Sequence, residues 1–125
     1  MKRAKNMNVL FKFTNPHVDQ ELDEITSGLN AKAYFVKSDN AAAAILNRFD
    51  IRIFFIEILQ IEDIMFLNYV KDHYKKIRIV LVLGDRMERL INTIRGGDYD
   101  ILTDPIRIND LVALFEAEQT GKTIH

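Results

Sequence analysis

Apolar positions along this chain alternate between two patterns: short consecutive runs that suit buried strands, and stripes at i, i+3/i+4 and i+7 that suit helices. Val9 to Phe13 is the first run. Asn15 then offers a side-chain cap and Pro16 fits a first helical turn, where its missing N–H is no loss. Val18, Leu22, Ile25 and Leu29 follow as one stripe, with Asp19, Glu21, Asp23 and Glu24 turned to water. Gly28 and Asn30 mark the exit. A short strand is predicted over Ala33 to Val36, and a helix capped by Ser38 or Asp39 over Ala41 to Phe49, its alanines allowing close approach to a sheet. Ile51 to Ile58 is the third strand, and apolar on both faces.

The pattern continues with a helix over Ile61 to Tyr74, carrying Ile64, Leu67 and Val70 inward and Glu62, Asp63, Lys71 and Asp72 outward. Ile77 to Leu83 is another near-continuous apolar strand. Met87, Leu90, Ile91 and Ile94 give a short helix that stops at Gly96 and Gly97. Tyr99 to Thr103 is the last strand, and a helix near Asn109 to Glu118 closes the series. Strand–helix alternation of this kind predicts an α/β domain with a parallel sheet and right-handed crossovers. Residues 8–118 form the domain, with 1–7 as an N-terminal tail and 119–125 as a C-terminal tail or the start of a linker.

Composition narrows the function classes. With 17 basic and 18 acidic residues the net charge is -1, so no global field attracts nucleic acid or anionic lipid. Cysteine is absent, which removes disulfides, thiolate nucleophiles and thiolate metal sites, and is compatible with a reducing cytoplasm. The basic start, Met1 to Met7, leads into a run too short for a signal-peptide core or a membrane span. One feature stands out against this plain background. Glu57 sits near the carboxyl end of a strand otherwise apolar on both faces, where open parallel sheets keep their ligands.

The string Gly97-Asp98-Tyr99-Asp100-Ile101-Leu102-Thr103-Asp104-Pro105-Ile106 resembles a segment of the receiver domains of two-component response regulators, the CheY-like family, and Ile53 to Ile58 resembles that family's third strand. The resemblance spans about Asn8 to Glu118. It implies a flavodoxin-like fold with strand order 2-1-3-4-5, helices on both faces, and a part in two-component signal transduction. It also puts Glu57 where the family has its phosphate-accepting Asp, and Asp104 where it has a Lys beside a Pro. The family's metal-binding acid pair falls on Phe13 and Thr14, its switch hydroxyl on Leu83 or a neighbour, and its rotating aromatic on Ile101.

These replacements change the chemistry. Phosphoryl transfer to a carboxylate requires a divalent cation and a positive group to hold the product, because positioning and electrostatics supply nearly all the catalysis. Thr14 and Asn15 are weak substitutes for two carboxylates around magnesium, and Asp104 makes a phosphate-attracting corner repulsive. The expectation is a degenerate receiver, a pseudo-receiver without phosphorelay chemistry, cofactor, metal or catalytic residue. Glu57 is then either a permanent stand-in for a phosphorylated Asp or a polar residue tolerated at a solvated strand end. Lys12, unusual in a central strand, is expected to reach Glu57 by snorkelling. The alternatives are a receiver that keeps weak phosphoacceptor or metal binding through Glu57 and Asp85, and a flavodoxin-like domain binding a small ligand at the same strand ends.

Other motifs carry less. Gly121-Lys122-Thr123 lacks the leading glycine of a phosphate-binding loop and follows a helix rather than a strand. His17, His73 and His125 are scattered along the chain. A binding module is what remains, and the resemblance points to the face made by the fourth predicted helix, the last strand and the last helix as the surface for a protein partner or homodimer. Arg86, Arg89, Arg95, Asp98, Asp100, Arg107, Asp110 and Glu116 mix both charges there, as self-complementary pairing requires. With no helix-turn-helix after Glu118, the chain is not expected to read DNA by itself.

Overall fold

A computed structural model describes residues 7–14, 16–83, 99–103 and 106–120. They fold as β1 (Met7–Lys12), α1 (Pro16–Gly28), β2 (Ala31–Val36), α2 (Asp39–Arg48), β3 (Ile51–Ile58), α3 (Ile61–His73), β4 (Arg78–Leu83), β5 (Asp100–Thr103) and α4 (Ile108–Thr120). All strand pairs are parallel and the sheet order is β2-β1-β3-β4-β5. This is the predicted flavodoxin-like order. The predicted helix around Met87 to Ile94 and the Asn15 cap lie outside the described residues.

Each face of the sheet has its own core. Val9, Phe11, Ile53, Phe55, Val80 and Val82 meet Leu22 of α1 and Leu111, Leu114 and Phe115 of α4. Leu10, Phe54, Ile56, Ile79 and Leu81 meet Ala42 and Leu46 of α2 and Phe66, Leu67 and Val70 of α3. Alternation along each strand assigns successive residues to opposite faces, so the middle of β3, covered on both, must be apolar. Ile53, Phe54, Phe55 and Ile56 are all completely buried.

Aromatic stacking runs across the centre of the sheet. In register, Phe11 pairs with Phe35 of β2 and Phe55 of β3. The ring centroids are 5.2 and 4.5 Å apart and the planes nearly parallel, while Phe13 meets Phe11 edge-on at 5.5 Å. Such pairs add about 1 kcal/mol each beyond their buried area.

Several boundaries differ from the sequence reading for local reasons. β1 starts at Met7, which is buried and donates its N–H to the Asn30 carbonyl, extending the ladder into what was expected to be tail. β2 starts at Ala31 rather than Ala33 because Asn30 takes a positive φ of 62° and turns the chain straight out of α1; among non-glycine residues Asn adopts this conformation readily. Ser38 caps α2, its hydroxyl accepting from the Ala41 N–H at 3.1 Å, so the helix begins at Asp39. The last helix runs to Thr120.

Truncating the central ring stack is expected to cost about 3–5 kcal/mol for Phe11→Ala or Phe55→Ala. In urea unfolding the double variant should lose less than the sum of the two, because the rings share one contact.

Candidate functional site

The carboxyl ends of β1 and β3 bring Thr14 and Glu57 together. Glu57 is half-buried, and one of its oxygens, Oε1, accepts from both the Thr14 backbone N–H at 3.1 Å and the Thr14 hydroxyl at 2.9 Å. Two donors from one residue fix this carboxylate to the end of β1. Phe13, beside it, is buried in the core against α1 and α4, so it offers no ligand atom at the strand end. Leu83, buried at the end of β4, pairs in register with Ile58 and Thr103. Asp104 and Asp85 lie outside the described residues.

Lys12 does not reach Glu57, contrary to the sequence expectation, and strand parity explains why. Lys12 follows Leu10 onto the α2/α3 face, whereas Glu57 follows Phe55 onto the α1/α4 face. The Lys12 ammonium is instead 3.2 Å from Asp63 Oδ1 and 3.0 Å from Asp39 Oδ1. The Phe66 ring lies beneath it, its centroid 6.0 Å away. The Lys12 side chain is 11% exposed and that of Asp63 8%.

Asp63 therefore corrects a second expectation, that it faces water. It is the third residue of α3, and its Oδ2 accepts from the backbone N–H groups of Leu59 and Gln60 at 2.9 and 3.1 Å. Those donors have no partner within the helix, so Asp63 caps α3 with one oxygen and holds Lys12 with the other. A two-residue link, Leu59 and Gln60, then suffices between β3 and α3. Burial pushes the Lys12 pKa down, but the hydrogen bond to Asp39 and the charges of Asp39 and Asp63 outweigh it and leave the pKa raised.

The expected interface residues separate. Arg86, Arg89, Arg95 and Asp98 lie outside the described residues. Asp100 is drawn inward, a correction to its expected place on an open face: its carboxylate is 3.3 Å from Arg78, whose Nε is 3.1 Å from Glu118. Glu118 also holds Arg52 at 3.3 Å, so one network ties β3, β4, β5 and α4. Arg107, Asp110 and Glu116 are exposed, as are two apolar residues absent from the sequence expectation, Ile101 on β5 and Ile108 on α4, at 44% and 57% exposure. A cavity of about 500 Å³ opens at the other end of the sheet, between Phe49, Ile51, Tyr74 and Ile77, away from Glu57. Among the described residues no three His, Asp or Glu side chains converge on a point that could hold a metal ion, and no helix is long and apolar enough to cross a membrane.

No family model and no curated protein matches this sequence. Solved structures do resemble it. The signal receiver domain of an HD domain-containing protein from Pseudomonas fluorescens Pf-5 aligns with a TM-score of 0.79 at 18% identity, over 94% of this chain and 100% of that one. The fold is that of a receiver domain. A response regulator from Thermotoga maritima gives 0.79 at 14% identity, over 92% of this chain and 98% of its own. An uncharacterized protein from Neptuniibacter caesariensis gives 0.82 at 19%, over 94% and 90%. At these identities the likeness is one of fold, and the receiver fold sets where Glu57 and Thr14 stand, not what they do.

Lys12→Met is expected to destabilise the chain by about 3 kcal/mol, because it leaves the Asp63 charge buried without its cation. A raised lysine pKa contributes stability that is complete below the ordinary value of about 10.5 and is lost as pH rises through the folded value. In denaturant melts the gap between the natural chain and Lys12→Met should therefore be constant from neutral pH to about pH 10 and shrink above it.

Proposed function

We propose that this chain is a receiver-type signalling module that works through protein contacts and takes up no phosphoryl group. The observation that carries this reading is the engagement of Glu57 by Thr14 at the strand ends. A phosphoacceptor must present its carboxylate to an incoming phosphoryl group with cations on either side. Here the Oε1 lone pairs are taken by two donors from Thr14, and the nearest strand lysine, Lys12, is committed to Asp39 and Asp63 on the opposite face. Glu57 acts in this reading as a tie between β1 and β3. Receiver-fold structures of 18% and 14% identity from a signalling protein and a response regulator support the general setting.

Partner contact falls on β5 and the last helix. Ile108 is exposed at the start of the last helix next to Arg107 in the chain, and Ile101 is exposed on β5, on the side of the sheet it shares with Leu81. That arrangement suits a protein surface, where apolar groups supply burial and flanking charges set orientation. The cytoplasm, where a cysteine-free signalling domain meets its partners, is the proposed location.

Incubation with acetyl phosphate and magnesium should leave the intact mass unchanged, and beryllofluoride should leave the amide chemical shifts of the strand ends in place; an adduct on Glu57 would defeat this reading. Glu57→Gln keeps an acceptor oxygen for Thr14 and is expected to change stability by less than about 1 kcal/mol. Ile108→Asp, on an exposed position, should leave the melting temperature within a degree or so while weakening partner capture about tenfold or more.

A further inference from the structure

The cavity at the amino ends of β3 and β4 lies at the opposite end of the sheet from Glu57. It opens to solvent between the end of α2, the start of β3, the end of α3 and the start of β4. Its volume of about 500 Å³ falls within the roughly 300–1,000 Å³ of small-molecule sites. The floor is the core itself: Leu46 and Ile51 are buried, and Phe49, Tyr74 and Ile77 are half-buried against the same cluster. Covering such a floor with an apolar group removes it from water and is favourable.

The walls are held in place. The Tyr74 hydroxyl donates to Asn47 Oδ1, which ties the end of α3 to the end of α2. The Phe49 ring stacks on Tyr34 with centroids 4.7 Å apart and has the Arg48 guanidinium 5.4 Å from its own centroid. β3 contributes a bulge here: Asn8 of β1 pairs with Ile51 and Val9 with Ile53, so Arg52 is the extra residue. Arg52 lines the cavity and is anchored to Glu118 at 3.3 Å. A site formed before contact loses little entropy when a ligand enters.

Charge at the rim identifies the ligand class. Lys75 and Lys76 line the cavity and are exposed, and no ion pair engages either among the described residues. Asp50 is the opposing carboxylate of the lining, while Arg52 belongs to a neutral network with Arg78, Glu118 and Asp100. Over this whole end Arg48, Lys71, Lys75 and Lys76 outweigh Asp50, Asp72 and about half a negative charge at the C-terminal end of each of α2 and α3. We propose that this cavity binds a small amphiphilic anion, its apolar body on the floor of Leu46, Ile51 and Ile77 and its carboxylate or phosphate beside Lys75 and Lys76. The site shares no residue with the Thr14–Glu57 pair and is independent of whether Glu57 accepts phosphate.

The fluorescent anion 8-anilinonaphthalene-1-sulfonate serves as the probe. One molecule is expected to bind per folded chain, saturably, with amide shifts confined to residues 46–52 and 74–77. Lys75→Glu combined with Lys76→Glu should weaken binding about tenfold or more while the melting temperature stays within a few degrees. Arg107→Glu, at the other end of the sheet, should leave binding as it is. N-phenyl-1-naphthylamine, which lacks the sulfonate, should bind more weakly and equally well to the natural chain and the lysine variant. Displacement of the probe by 2-naphthoate or by naphthyl phosphate supports the site and names the head group it prefers; displacement by neither overturns it. Equal affinity in the lysine variant, amide shifts centred on Thr14 and Glu57, or no saturation at millimolar probe would also overturn the proposal.

Discussion

Burial of the Lys12 ammonium is the constraint around which one side of this molecule is organised. A lysine on the inner face of a central strand is tolerated only with anions beside it, and those anions are the first residue of α2 and the third residue of α3. Two helix starts are thereby fixed to the end of β1. The arrangement gives little net stability over a well-packed apolar substitute, since desolvating both charges offsets most of their attraction. It does fix position: α3 can begin two residues after β3 only because Asp63 supplies the backbone N–H groups of Leu59 and Gln60 with an acceptor.

The same arrangement bears on chemistry. At the end of a parallel sheet, charges left facing solvent are available to a ligand, whereas charges paired internally are not. Lys12 is paired with Asp39 and Asp63 on one face of the sheet, a cluster that keeps one net negative charge, and Thr14 binds Glu57 on the other face. Large apolar side chains are exposed elsewhere, on β5, at the start of the last helix and on the outer side of α3.

The element order and the parallel sheet were legible in the sequence because they follow from periodicity, and β3 was bounded correctly because no other run of its length is apolar at both parities. Glu57 could be placed at a strand end for the same reason. Its partner could not, since naming Thr14 rather than Lys12 requires the register between β1 and β3, and that register is interrupted at Asn8 and Val9. Parity alone would have helped: Lys12 shares a face with Leu10, and Glu57 with Phe55. Asp63 was misread because its place on the helical wheel borders the outer face, while its burial depends on a short link and a lysine from a distant strand. The outer row of α3 was hidden by the opposite problem. A helix apolar on both sides gives no clear stripe, and Ile64, Leu67 and Val70 accounted for the inner face without exposing the surplus of Ile61, Met65 and Tyr69.

The position of β1 in the sheet has a consequence for how the chain is made. β1 is synthesised first yet lies between β2 and β3, so one of its edges has no neighbour until residues 51–58 have left the ribosome. Phe11 is stranded in that interval, one side of its ring covered by Phe35 and the other awaiting Phe55. Nascent fragments ending before Ile58 present an open, apolar edge to any chaperone or neighbouring polysome.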